Sequence, residues 1–537
     1  MRKFFRYFTL AVCLLFGPVV LGWIFLQGMT HLYWGILPSL ILWLLLLAFW
    51  YLFCGQSRFR IRALRVGLGI AALTISIIGL TKLVRYEGSA SGSSLPKLSW
   101  VWEEKAPATP SEIVVVASDS AAPESELEAA AGESRDFLGP GRDGMWETLP
   151  FGTDWNSSPP ELLWRRPIGK AWSSFVVAAG KAITQEQVED EERVACLNLF
   201  TGEELWHHAD AEVRLLLERK ENAGASMGGD GPRSTPVIHG NLVFTLGATG
   251  IVNCLELETG KLVWTANVIK DYGGALQNWG MANTPLVIDE HAIVIVPGGD
   301  KAGATLVAYD MTTGEERWVY QGKGAGYTSP RLMTIAGTEQ IVSVNAKDVT
   351  GHDPATGEVY WKYDWPGHYP KVGQPQPVGA DKLLMTASYG VGSPLIQVSN
   401  EGGKWSATEL WKTIRLKTKF SSAVIHGGYA YGLDEGRLAC LDLENGDKVW
   451  KNQKYGFGQQ LLLEDWLLIQ TEAGAVVIGR ASPEGFEEEG RIEALSSMTW
   501  NVPAVAGRLL LVRNDKEAAC YLLPPPASAA QAGLSRH

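Results

Sequence analysis

Cysteine is scarce in this chain, at six among 537 residues. No C-x-x-C pair and no adjacent Cys-Cys pair occurs, so zinc-ribbon and vicinal-disulfide chemistry have no sequence support. Basic charge is in deficit: 47 Lys and Arg stand against 58 Asp and Glu, a net charge of −11, which argues against a nucleic-acid partner. No Walker loop, H-E-x-x-H or EF-hand sequence stands out, and GGDGPR (228–233) follows no strand–helix phosphate pattern. His207 and His208 are adjacent; on a strand they face opposite sides and do not share a metal.

What the chain does have is apolar length at one end and repetition over the rest. Three apolar runs fill the first 85 residues, Thr9–Leu26, Tyr33–Phe53 and Val66–Leu83, each close to the roughly 20 residues a helix needs to cross a bilayer. Lys82 closes the third, within reach of an interface. Arg2, Lys3 and Arg6 precede the first run, and Arg58, Arg60, Arg62 and Arg65 follow the second. By the positive-inside rule this predicts a three-helix membrane anchor (1–87) with a cytoplasmic N-terminus. The remainder is then periplasmic or otherwise extracytoplasmic, on a multi-pass inner-membrane protein that meets the lipid bilayer through three helices. Residues 88–135 are rich in Ser, Ala, Pro and Glu and read as a disordered linker, as do 525–537 as a tail.

The remaining stretch repeats itself. CLNLFTGEELW (196–206), CLELETGKLVW (254–264) and CLDLENGDKVW (440–450) share one pattern. Trp206, Trp264, Trp318, Trp361 and Trp450 each follow a glycine by four residues: Gly202, Gly260, Gly314, Gly357 and Gly446. Ten residues before each Trp is a small residue: Cys196, Cys254, Ala308, Gly351 or Cys440. RLACLDL (437–443) alternates like a strand, ENGD is expected to turn on Asn-Gly, and KVW begins the return strand. Two shorter strands precede each such hairpin, giving four antiparallel strands per unit. Signals such as SSFVV (173–177), STPVI (234–238) and SSAVI (421–425) mark eight units over about 161–524. Units of this kind bury their faces only by stacking radially, which is an eight-bladed β-propeller. The last unit stops at AACYLLP (518–524); ELLWRRPI (161–168), with Trp164 in the Trp slot, is expected to complete it and close the ring. Cys196, Cys254, Cys440 and Cys520 share one slot, so they read as small packing residues; Cys13 and Cys54 fall in the expected spans.

This motif resembles the tryptophan-docking motif of the PQQ repeat family, which includes eight-bladed quinoprotein dehydrogenases and BamB-like assembly factors. DFLGPGRDG (136–144) resembles the lead-in of a bacterial branch of it, so the resemblance covers about 136–524. It implies an all-β propeller whose Trp side chains wedge between blades. The docking set is then Trp164, Trp206, Trp264, Trp318, Trp361, Trp411 and Trp450 with Gly202, Gly260, Gly314, Gly357 and Gly446. Blade 5 departs from the pattern, ending at Trp411, and blade 7 has no Trp; both interfaces are expected to be looser. The resemblance leaves two functions open. One is a non-catalytic binding or scaffolding module of the cell envelope, with a protein or peptide partner and no cofactor or metal. The other is a membrane-bound dehydrogenase of alcohols or sugars using PQQ with Ca²⁺; it needs a quinone site, metal ligands and a catalytic Asp that no spacing here assigns. Segments joining one blade to the next gather at one mouth of a propeller, which makes Arg233, Tyr272, Trp279, Tyr327, Tyr389 and Phe420 candidate contacts.

Overall fold

The computed structural model describes residues 9–10, 14–15, 37–54, 58–89, 96–101, 123–210, 213, 229–291, 293–299, 304–367 and 370–526. They fall into two compact units, one within residues 1–108 and one holding everything described from 123 on. The first contains helices α1 (Leu37–Cys54) and α2 (Phe59–Leu83) and a hairpin of Val84–Ser89 with Pro96–Trp100.

The expected three-helix anchor is overturned. Among the described residues no helix is long and apolar enough to cross a membrane. Helix α1 has 18 residues, about 27 Å at 1.5 Å per residue, against a hydrocarbon core of roughly 30 Å. Helix α2 carries Arg60, Arg62 and Arg65 in its first turns and Lys82 in its last; the uncharged stretch between them spans only about 24 Å. The first run, Thr9–Leu26, lies almost wholly outside the described residues. Among the described residues, transmembrane helices and a bilayer contact through them therefore have no support.

The second unit is all-β. Eight sheets follow one another in chain order, seven of four strands and one of five. Blades 1 to 7 run Val176–Asp210, Val237–Asn267, Leu286–Tyr320, Arg331–Asp364, Gln376–Thr413, Val424–Lys454 and Gln459–Ile492. Blade 8 takes three strands from Ala504–Leu522 and its outer strand from Glu161–Pro167, with Trp164 opposite Cys520. The core is divided into eight apolar clusters, each shared by two neighbouring blades.

The repeated motif builds these interfaces by a specific distortion. Cys196 pairs with Trp206 across the ladder, but the next pair is Leu197 with Glu204, so Leu205 is a bulged extra residue. The same shift follows Cys254–Trp264, Ala308–Trp318, Gly351–Trp361, Leu395–Trp411, Cys440–Trp450 and Cys520–Trp164. A bulge bends the strand and re-aims its side chains, here turning the indole toward the following blade and leaving Leu205, Val263, Leu410 and Val449 exposed. The indole N–H of Trp206 donates to Leu257 O at 3.1 Å, that of Trp264 to Met311 O at 3.0 Å and that of Trp318 to Pro354 O at 3.2 Å. Each ring covers the glycine of the next turn: a Cβ on Gly260 would sit 2.4 Å from Trp206. The turn runs from Asp to Gly, as in Asp310–Gly314, where Asp310 Oδ1 accepts the N–H groups of Thr312 and Thr313 and Gly314 N donates to Asp310 O. Only the glycine takes positive φ, so ENGD turns on Gly446 alone and not on the Asn-Gly pair expected from sequence.

Two joints differ from the repeat, and a third was expected to. Trp361 keeps its indole N–H for Gln340 of its own blade, and Tyr360 stacks on Trp405 of blade 5 at 5.1 Å instead. Trp411 docks normally, donating to Leu443 O at 3.2 Å. Between blades 7 and 8 the lead-in chain supplies Trp155, 3 % exposed, against Gly490. The two interfaces expected to be loose are thus both filled.

Candidate functional site

The lead-in chain distinguishes the two ends of the central channel. Beyond α3 (Glu124–Ala130) it bonds to the blades in order. Gly132 N donates to Ala506 O of blade 8, Ser134 exchanges two bonds with Val177 of blade 1, and Ile238 N of blade 2 donates to Arg135 O. Arg142 donates to Thr284 O and Pro285 O before blade 3. Arg331 of blade 4 donates to Gly141 O and pairs with Asp143 at 2.6 Å, and Gln376 of blade 5 reaches Asp143 O. Ile425 N of blade 6 meets Met145 Sδ, and Met145–Trp146 lies parallel on Leu462–Leu463 as the fifth strand of blade 7. Because residues 132–146 meet the inner strands of all eight blades in succession, they circle the propeller axis once. DFLGPGRDG is the middle of this turn: Asp136 holds Arg142 at 2.6 Å, and Leu138, Gly139, Arg142 and Gly144 all take positive φ. The segment enters beside Gly240 and Gly507, where inner strands turn back. That end is lined by the chain itself.

The opposite end is where the inner strands begin. A hydroxyl belt secures it: Ser174 N donates to Thr235 Oγ1, Thr235 N to Thr284 Oγ1, Thr284 N to Ser329 Oγ and Gln374 N to Ser422 Oγ. This is why Ser or Thr stands just before the inner strands of blades 1, 2, 3, 4 and 6. Asn283, Gln459 and Asn501 side-chain amides bridge further carbonyls, including Phe420 O and Trp500 O. The residue two places ahead of the belt position forms the rim, and in several blades it is large: Trp172, Arg233, Tyr327, Phe420 and Trp500.

These rim side chains form two groups. Trp172 and Trp500 have centroids 4.9 Å apart, Trp500 and Phe420 4.7 Å, and Phe420 and Phe457 6.0 Å. The Lys419 ammonium lies 4.2 Å from the Phe457 ring and 4.8 Å from Tyr389. Glu472 accepts the Trp500 indole N–H at 2.9 Å. Across the mouth, Trp279 meets the Tyr327 ring edge-on at 5.8 Å, and Arg233 is fixed by Gly229 O and Gly231 O, each at 2.7 Å. Burial sets the charges here. It lowers Arg233 to about 10, lowers Lys371 to about 8, lowers Lys419, and raises Glu192 to about 8.

Of the six candidate contacts, Arg233, Trp279, Tyr327, Tyr389 and Phe420 lie at this mouth. Tyr272 does not join them; its hydroxyl donates to Glu316 Oε2 on the outer strand of blade 3 at 2.7 Å, and burial with that bond raises it to about 12. Lys419, Phe457, Trp172, Trp500 and Glu472 went unrecognised in the sequence. A usable signal existed for three of them, the slot two places ahead of the Ser/Thr belt or beside it. Cys196, Cys254, Cys440 and Cys520 are buried and free, each opposite a docking Trp; burial raises the first three thiols to about 12.

Residues 190–452 match the family model described as outer membrane protein assembly factor BamB. The chain carries a PQQ-like β-propeller. A curated relative, outer membrane protein assembly factor BamB of Burkholderia pseudomallei (strain K96243), is 21 % identical over 307 residues, 48 % of this chain and 77 % of the relative. Two solved structures share the fold. Quinohemoprotein alcohol dehydrogenase from Comamonas testosteroni has a TM-score of 0.55 at 12 % identity, covering 74 % of this chain and 82 % of its own. A europium-containing methanol dehydrogenase has a TM-score of 0.54 at 12 % identity, covering 74 % and 99 %.

The aromatic pairs of the mouth do not fit a planar quinone between their rings. A planar quinone between two faces needs them about 7 Å apart, twice a carbon contact distance. The Trp172 and Trp500 rings are already in contact, and Trp279 and Tyr327 meet at an edge. Among the described residues no three His, Cys, Asp or Glu side chains group as a metal site requires. No redox step is derived from this site.

Proposed function

We propose that this chain is a non-catalytic binding or scaffolding module of the cell envelope, which holds a protein partner at the open mouth of its propeller. The observation that carries the reading is the asymmetry of the channel: its own chain lines one end, and the other end presents aromatic and cationic groups. Aromatic and Arg side chains around a rigid concavity supply most of the energy at protein interfaces. Similarity to BamB supports a partner in outer-membrane protein assembly, and supports an extracytoplasmic place for the propeller.

The test is affinity purification of the full chain from its native cells after mild crosslinking, beside a Trp279→Ala/Phe420→Ala/Phe457→Ala variant. The expected result is one envelope protein recovered with the unaltered chain and lost with the variant, whose β-sheet circular dichroism is unchanged. Equal recovery by both contradicts the reading. Turnover of an alcohol by chain purified with PQQ and Ca²⁺ contradicts it as well.

A further inference from the structure

Blade 5 replaces the repeated Asp-to-Gly turn with a long hairpin of strands Ser393–Glu401 and Lys404–Thr413. The outer strand has ten residues, where those of the other blades have seven or fewer. It is the edge of its sheet, with no strand on its far side among the described residues. A long open edge is a ready template for another strand.

Where this strand ends, a cavity of about 540 Å³ opens against blade 6, lined by Gly390–Gly392, Lys412–Arg415 and Asn445–Gly446. Gly390 and Gly392 take positive φ, so the cavity wall there is bare backbone. Ile414 is 66 % exposed, the most exposed large apolar residue among the described residues of the propeller. Both charged side chains of the lining are cations and no carboxylate lines it, on a chain whose net charge is −11. Arg415 is held by Asp447. Lys412 is exposed, crosses over Gly392, and forms no ion pair among the described residues.

We propose that the outer edge of blade 5 and this cavity form a docking surface for an extended, acidic segment of a partner protein, separate from the mouth. The segment's backbone adds to the edge of 404–413, an apolar side chain covers Ile414, and a carboxylate reaches Lys412. A second copy of this chain suits the surface less well, because antiparallel pairing about the middle of the strand would set Lys404 against Lys412.

The probe is a short fluorescein-labelled peptide of alternating valine and threonine carrying two glutamates, titrated into the full chain and read by anisotropy. Two control peptides replace the glutamates by lysines or methylate alternate backbone nitrogens. The expected result is saturable binding of the glutamate peptide, about tenfold weaker binding of either control, and slowed amide exchange confined to 404–415. Lys412→Glu, a surface change, should weaken the glutamate peptide and favour the lysine peptide. The Phe420→Ala/Phe457→Ala mouth variant should bind the probe unchanged, which keeps this outcome apart from that of the mouth. Equal binding of all three peptides, indifference to Lys412→Glu, exchange protection elsewhere, or no binding at millimolar peptide each overturns the proposal.

Discussion

Replacing Trp164 by alanine opens the seam of the ring. Trp164 is 1 % exposed, its N–H donates to Leu199 O at 2.9 Å, and its ring lies on Gly202. It sits on the one strand that joins the start of the propeller chain to its end. Deleting a fully buried Trp side chain costs about 3–5 kcal/mol, including the cavity it leaves, and Leu199 O loses its partner. Trp450 occupies the same slot between blades 6 and 7 but is only half-buried, donating to Ser482 O at 3.1 Å; its alanine variant should cost about 1–3 kcal/mol. Urea titrations of both variants give the difference. Hydrogen exchange then locates it: in Trp164→Ala, 161–167 and 517–522 should exchange together and early, while blades 3 to 5 stay protected. Arg513 limits the damage, because its guanidinium also crosses the seam to Thr184 Oγ1, Gln185 O and Gly169 O. If Trp164→Ala proves no more destabilising than Trp450→Ala, or leaves exchange at the seam unaltered, the closure argument is wrong.

Other consequences can be measured in the same way. Arg142→Ala leaves the half-buried Asp136 carboxylate without its partner and frees Thr284 O and Pro285 O; it should lose about 1–3 kcal/mol in urea unfolding, and a cost below about 0.5 kcal/mol would contradict the role of the lead-in. Gly260→Ala drives a Cβ to 2.4 Å from Trp206, whereas Gly337 has the same positive φ and nothing within 4 Å. Gly337→Ala should therefore cost only the left-handed backbone penalty of about 1–2 kcal/mol and Gly260→Ala clearly more, compared by thermal melts. His352 is fully buried, its Nδ1–H donating to Gly357 O and Nε2 accepting from Thr350, and burial lowers it to about 4. The unfolded chain takes up a proton below pH 6.5 that the fold refuses, so this site removes stability as pH falls from 6.5 toward 4, by about 3 kcal/mol in all. The stability difference between the unaltered chain and His352→Gln should shrink over that window; a difference independent of pH would contradict it.

The joints of the ring were legible because they repeat: a small residue, a glycine and a Trp at fixed spacing are read directly, as was Trp164 as the closing residue. The bulge that turns each indole was not, since it shows only in ladder register. The path of 132–146 was hidden for a different reason. Each blade is touched through backbone atoms or single side chains, so DFLGPGRDG carries no hydrophobic period. Trp361 shows a limit of the motif: Gln340, distant in sequence, captures its N–H. The mouth was half legible, since aromatic residues in joining segments pointed to it, but Tyr272 turned outward to Glu316 and Lys419 with Phe457 went unseen. The second and third N-terminal runs misled because each falls just short: α1 is about 27 Å long and the uncharged part of α2 about 24 Å, against roughly 30 Å of hydrocarbon.

The most direct test is site-specific photocrosslinking of the full chain in its native cells, with benzoylphenylalanine at Phe420 on the open mouth or at Asn156 on the lead-in end. The account predicts a discrete partner adduct from position 420 and none from 156. Adducts from 156 alone, or from both positions alike, would contradict a propeller that is lined by its own chain at one end and binds at the other.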